Sequence, residues 1–154
     1  MLCPVVLEAV DVSYRRTGGT SIRRVSLAAF RGELLALCGP PGAGTSALLE
    51  LLGGARQPDA GRVHRRGVPP VLTRGHEAAT AALAHAHERS VLLLDHVGVR
   101  ERDERDVLAR ARRAAEAGAT VVVTTHDLAL VAEHAHTAAL LVAGRLVAWA
   151  EPAR

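Results

Sequence analysis

A chain of 154 residues, 49% of them hydrophobic, suits one domain with one packed interior, and with only Tyr14, Phe30 and Trp149 as aromatics that interior must be built from Leu, Val and Ala. All nineteen basic residues are Arg and the formal net charge is +3, but neither aromatic stacking positions nor a continuous basic stripe accompanies that charge, which argues against nucleic-acid binding. No disulfide framework is indicated by Cys3 and Cys38 alone, no signal-peptide pattern opens the chain, and the apolar runs fall far below the ~20 residues of a membrane helix, so the expectation is a cytoplasmic chain without direct membrane insertion, or one peripheral to a membrane through a partner.

"VVLEAVDVSY" (5–14) alternates and is rich in β-formers, which predicts a strand; "RRTGGTS" (15–21) reads as a turn, "IRRVSLAAF" (22–30) as a second strand and "RGE" (31–33) as a tight turn. "LLALCG" (34–39) is a continuous apolar run, as expected of a strand covered on both faces, with Cys38 a small buried hydrophobe inside it. A helix follows over 45–52, closed by Gly53 and Gly54, and a loop leads from it into a short strand near 61–65. Prolines break up "RRGVPPVLTRG" (65–75), which takes no assignment. An Ala-rich helix is predicted over 76–87, a buried strand over 90–95, and an amphipathic helix over 101–118 with Val107, Leu108, Ala111, Ala114 and Ala115 on one face, an Asp106–Arg110 pair and Gly118 as its stop. The strand "TVVVTTHD" (120–127) precedes a helix that Asp127 caps, and residues 138–150 read as two short strands around Ala143-Gly144. Strands alternating with helices after residue 34 argue for an α/β fold with a parallel sheet; the first thirty residues look like an antiparallel addition.

"LCGPPGAGTSALLELL" (37–52) carries the chemistry. Gly39, Gly42, Gly44 and Ser46 fit the phosphate-binding pattern G-x-x-x-x-G-K-S/T, a glycine-rich turn whose backbone N–H groups converge on phosphate oxygens at a helix N-terminus, but Thr45 stands where the lysine belongs. The bland alternative is a strand-to-helix turn without a ligand. Eight histidines invite a metal reading, yet His85 and His87 point in different directions on a helix, His134 and His136 straddle a helix end, and no cluster has ligand spacing.

Taken in order, the motifs resemble the ATP-binding cassette (ABC) ATPases, the nucleotide-binding subunits of membrane transporters. "LEAVDVSYRR" is similar to the family's first strand, "GELLALCGPPGAGTSALLELLGG" to its phosphate loop and helix, "SVLLLDH" to its Walker B strand, and "TTHDLALVAEHAHTAALLVAGRLVA" to its switch-histidine segment and closing strands. The resemblance implies a P-loop NTPase core spanning 1–154 as one nucleotide-binding domain. It implies ATP or ADP and Mg²⁺ as ligands, with Gly39, Pro40, Pro41, Gly42, Ala43, Gly44, Thr45 and Ser46 cradling the phosphates. Tyr14 would stack on adenine (otherwise a strand-end aromatic), Ser46 and Asp95 would attend the metal (otherwise Asp95 is a strand-end cap), and His126 would be the switch histidine (otherwise a retained fold residue). A second ATPase subunit and a membrane-spanning subunit are the implied partners, which would hold the chain at the inner face of the cell membrane.

The departures fall on catalytic parts. Thr45 replaces the lysine, and His96 stands directly after Asp95 where the family has its catalytic glutamate. The signature loop is matched best by "LTRGH" (72–76), with Arg74 where its first glycine belongs, and the helical subdomain is largely missing, a deletion placed around 66–75. Three readings stay open: a nucleotide-binding domain with weak or absent hydrolysis, a working ATPase subunit with an unusual site that uses His96 and His126, and a relic or scaffold without a nucleotide site.

Overall fold

The computed structural model describes residues 4–19 and 21–151; Cys3 and Thr20 lie outside them. In chain order the elements are β1 (Val5–Tyr14), β2 (Ile22–Phe30), β3 (Leu34–Cys38), α1 (Thr45–Gly53), β4 (Ala60–Arg65), β5 (Val71–Arg74), α2 (His76–Ala84), β6 (Val91–Asp95), α3 (Glu101–Glu116), β7 (Thr120–Thr125), α4 (Leu128–His134), β8 (Thr137–Val142) and β9 (Arg145–Ala150). β1, β2 and β4 make an antiparallel sheet in the order β2-β1-β4, while the others form a six-stranded sheet in the order β5-β6-β7-β3-β8-β9. Every pairing in the larger sheet is parallel except β8 with β9. The α/β fold with an antiparallel N-terminal addition is as expected; that β4 belongs to the small sheet was not foreseen.

Side-chain alternation on the central strands builds two cores. Leu35 and Leu37 of β3, Leu93 of β6 and Val122 of β7 face α1 and the small sheet. Leu34, Ala36 and Cys38, with Leu92, Leu94, Val121 and Val123, face α2, α3 and α4. Because both faces are covered, these strands read as unbroken apolar runs. Burial pushes the Cys38 thiol up to about 11, so it behaves as an inert apolar filler.

The helices end as their sequences dictate. Gly54 takes φ 82 and closes α1 by donating to Glu50 and Leu51 carbonyls, and Arg65 adds side-chain donors to the Leu51 and Leu52 carbonyls at 2.9 and 2.8 Å. In α3, Val107, Leu108, Ala111 and Ala115 are the buried stripe, and Asp106 pairs with Arg110 at 3.0 Å on the wet side. Asp127 accepts from the Ala129 and Leu130 amides and caps α4.

Two corrections concern the stretch around residues 66–87. Leu72, Thr73 and Arg74 of the "LTRGH" segment form no signature-type loop; they are the edge strand β5, parallel to β6 with Arg74 in register with Asp95. Proline at 69 and 70 obscured a strand of only four residues. The Ala-rich helix ends at Ala84, where His85 turns out of helical geometry as its C-cap. The chain runs from α1 through β4 to β5 with no helix between them.

One turn ties the two sheets to the loop at the end of β3. Ala143 and Gly144, at φ 49 and 78, form the two-residue hairpin between β8 and β9. The Gly144 amide donates to the Ala43 carbonyl at 2.8 Å, and its carbonyl accepts from the Arg23 amide of β2 at 2.9 Å. A Cβ there would meet the Ser21 carbonyl oxygen at 1.6 Å. Gly144→Ala is therefore expected to destabilise the chain by about 3 kcal/mol or more, through the strained φ and the backbone clash together. Urea unfolding measures it; an unchanged midpoint would show that this contact holds nothing in place.

Candidate functional site

The site lies beyond the carboxyl ends of β3, β6 and β7, where the chain leaves the sheet in opposite directions. The loop 39–44 turns there from β3 into α1. Gly42 and Gly44 have φ 82 and 104, a region that costs a side chain but not glycine. Gly39 is required for another reason: a Cβ would stand 2.3 Å from the Leu141 carbonyl oxygen of β8. Within the loop the Ala43 amide donates to the Pro40 carbonyl at 3.0 Å, and Pro40 and Pro41 face solvent. No side chain caps the start of α1. Its first amide groups have no earlier turn to bond, and the positive end of the helix dipole coincides with them.

A cavity of about 300 Å³ sits on this helix start. Its walls are Pro41, Gly42 and Gly44 of the loop, Thr45, Ser46 and Ala47 of α1, His96, and Thr124, Thr125 and His126 at the end of β7. Arg16, from the turn after β1, completes it. The Arg16 side chain lies across the Cα of Gly19, where a Cβ would meet its Cδ at 2.7 Å. His126 Nδ1 is 2.8 Å from the Gly39 carbonyl oxygen. A carbonyl only accepts, so Nδ1 carries the proton and donates, which leaves Nε2 to the cavity side of the ring's chemistry.

Behind the cavity floor lies Asp95, 1% exposed. Oδ1 accepts from Thr124 Oγ1 at 2.7 Å and from Ser46 Oγ at 3.0 Å. Oδ2 has no aligned hydrogen bond but faces the Arg74 guanidinium at 3.3 Å and His96 Nε2 at 3.7 Å. Arg74 also donates to Glu50 Oε1 at 3.0 Å, and Arg56 holds Glu50 Oε2 at 2.9 Å. Burial alone would raise the Glu50 carboxyl; the hydrogen bonds and charges of Arg56 and Arg74 outweigh it and hold the group below its ordinary value. His96 sits at φ 51, its amide donating to Thr124 Oγ1 at 3.4 Å and Nε2 lying 3.5 Å from Ser46 Oγ. Histidine tolerates left-handed backbone better than β-branched residues, yet the position is strained.

Of the residues picked out by sequence, Gly39 to Ser46, Asp95, His96 and His126 therefore converge at one place. Tyr14 does not join them. It packs half-buried against the first core and lines a different cavity of about 550 Å³ with Ser13, Arg15, Ser21, Ile22, Arg23 and Asp59. The sequence does not mark Arg16, Glu50 or Thr124 as site residues, and it matches Arg74 only to a place in the signature loop. Only strand register and long side-chain reach bring them in.

With that geometry in place, the comparisons with known proteins are direct. A family model described as ABC transporter matches residues 22–140. The chain belongs to the ABC transporter family. It is 39% identical over 90 residues to "Ribose import ATP-binding protein RbsA 1" of Streptomyces coelicolor, covering 58% of this chain and 18% of that protein. It is 38% identical over 90 residues to "Ribose import ATP-binding protein RbsA 2" of Streptomyces avermitilis, again 58% of this chain and 18% of that protein. The chain thus spans less than a fifth of the length of these curated relatives. Among solved structures it is similar to an ATP-binding subunit of an ABC transporter (TM-score 0.72, 18% identity, 95% of this chain and 90% of that one). It is also similar to cbiO1 from Clostridium perfringens, described as part of the ABC transporter complex cbiONQ (TM-score 0.74, 15% identity, 96% and 89%). These structures show the α/β fold of the ATP-binding cassette; a helix long and apolar enough to cross a membrane is not found among the described residues.

ABC ATPases in general use a nucleotide and Mg²⁺. In this ABC-family chain the helix start and cavity suit the nucleotide's phosphates, whereas the donor set does not suit the metal. Magnesium demands near-octahedral oxygen ligation, but Asp95 Oδ1 accepts from two hydroxyls and Oδ2 faces the Arg74 guanidinium at 3.3 Å.

The Arg56–Glu50–Arg74 cluster carries a pH dependence. A carboxyl held below its unfolded value contributes stability above that value and loses it as pH falls through the lowered native one. Glu50→Gln should therefore destabilise the chain near pH 7 and progressively less as pH falls below the ordinary carboxylate range. Urea midpoints of both proteins across that range test this; a gap that stays constant with pH would show that Glu50 is not held ionised by its arginines.

Proposed function

We propose that this chain is a shortened ABC nucleotide-binding domain that binds ATP or ADP by its phosphates at the start of α1 and hydrolyses them weakly or not at all. The observation that carries the reading is the open cavity on an uncapped helix start, bounded by Gly42, Gly44, Thr45 and Ser46. Such a start binds anions through backbone amides and the helix dipole, without needing a side-chain cation. The family's lysine would add a charge-assisted contact of roughly 1.5–3 kcal/mol, about ten- to a hundredfold in affinity. Thr45 supplies none of it. Arg16, at the cavity's opposite wall, returns a positive charge from a different element.

Hydrolysis loses more. Assistance by a positioned base is worth about 10²–10⁴-fold, and His96 occupies the glutamate's position with its ring nitrogen turned to Ser46 and Asp95. Phosphoryl transfer also depends on cations that neutralise developing charge. His126, which donates from Nδ1 to Gly39, lines the same cavity. It positions and does not replace a base.

The names of the relatives point to sugar import as the setting. There the chain would work beside a second ABC ATPase subunit and a membrane-spanning subunit, in the cytoplasm at the inner membrane face, with no nucleic-acid role. One nucleotide-binding unit over 1–154, lacking the helical subdomain around 66–75, would then serve as a non-catalytic partner.

Calorimetric titration with ATP is expected to show saturable binding that Arg16→Ala weakens about tenfold and Thr45→Lys strengthens about ten- to a hundredfold. Turnover should be negligible in the natural chain and rise roughly 10²-fold or more in Thr45→Lys/His96→Glu. Absence of any thermal stabilisation by millimolar ATP would leave a scaffold without a nucleotide site. Turnover at ordinary enzyme rates by the natural chain would make it a working ATPase instead.

A further inference from the structure

The Asp95 carboxylate is neutralised from within. Its buried Oδ2 looks at one group of opposite charge, the Arg74 guanidinium at 3.3 Å. The Arg74 side chain is 59% exposed, but its guanidinium lies against two carboxylates. Arg74 is the last residue of β5, and its Cα is in parallel register with Asp95 on β6, so the two side chains leave adjacent strands about 4.8 Å apart. The Gly75 amide, donating to the Asp95 carbonyl at 2.9 Å, extends that pairing one residue further. On its other side Arg74 meets Glu50 of α1 at 3.0 Å, and Glu50 is gripped in turn by Arg56 at 2.9 Å. Two carboxylates and two guanidiniums thus sum to zero, with one arginine nitrogen shared between the carboxylates.

We propose that Arg74 is a built-in counter-cation that closes Asp95 to divalent metal, so that the site takes its nucleotide as a metal-free polyphosphate. The claim about nucleotide rests on the function proposed above; the claim about metal does not. A divalent ion at a phosphate site takes one or two carboxylates together with water and phosphate oxygens, and a cation already paired with Asp95 competes with it for that carboxylate. At Oδ2 it would sit one ion-pair distance from a fixed positive charge, and to clear it Arg74 must break its contacts to Asp95 and Glu50 together. At Oδ1 it would have to displace Thr124 and Ser46, and the Thr124 contact is buried at 2.7 Å. The remaining positive potential for phosphate comes from the α1 dipole and Arg16, neither of which involves Asp95.

The metal arm of the test uses Mn²⁺ alone, followed by electron paramagnetic resonance on the intact chain. The natural protein should bind no Mn²⁺ at Asp95. Arg74→Gln should gain a site, Arg74→Lys should keep it closed, and Arg74→Gln/Asp95→Asn should lose it again. The ligand arm titrates ATP in EDTA and in excess Mg²⁺. Affinity of the natural chain should differ by less than about threefold between the two, whereas Arg74→Gln should bind about tenfold or more tightly with Mg²⁺. Asp95-dependent Mn²⁺ binding by the natural chain, failure of Arg74→Gln to open a site, or natural-chain ATP binding that demands Mg²⁺ would overturn the proposal. If no variant binds ATP while the Mn²⁺ results come out as stated, the nucleotide reading falls and Arg74's role as the carboxylate's cation stands.

Discussion

A carboxylate at the end of a fully buried strand organises this molecule. Asp95 is removed from water, and an isolated buried charge is costly unless partners surround it. The partners come from four elements: Thr124 of β7, Ser46 of α1, Arg74 of β5 and His96 of the turn after β6. Each contact fixes the end of one element against another. The phosphate-loop helix is therefore oriented by its own serine, the edge strand by its arginine, and the left-handed turn at His96 by the amide bond to the Thr124 hydroxyl that also serves Asp95. Oδ1 is shared by two hydroxyls, whereas Oδ2 has no aligned hydrogen bond and depends on the nearby Arg74 charge.

How far this arrangement could be read from sequence depends on the range of the physics behind each feature. The helices at 45–53 and 101–116, the central strands and the cap at Asp127 are local: apolar runs, 3.6-residue spacing and a capping side chain decide them. The strand β5 was illegible because its four residues give periodicity too little length and its neighbourhood is broken by Pro69 and Pro70. Edge strands of this kind are fixed by the partner they pair with, here β6, and not by their own pattern. At Tyr14 the resemblance and the packing point to different neighbours. A motif resemblance placed it over a base, while the packing of the β1 end against the first core turns it to a separate cavity. The three glycines also divide in a way that the motif hides. Gly42 and Gly44 are needed for left-handed backbone, Gly39 because the β8 carbonyl at Leu141 leaves no room for a Cβ.

The departures from the family pattern then have one sense in common. Replacing the lysine by Thr45 removes a mobile cation from the phosphate side, replacing the glutamate by His96 removes an anion beside Asp95, and placing Arg74 at the end of β5 adds a cation there. The charge that catalysis would direct at a developing transition state is instead spent within the protein, between Arg74, Asp95 and Glu50. The function proposed here, recognition of a polyphosphate, draws on amides, a dipole and one outer arginine, and none of those three elements is touched by the exchange.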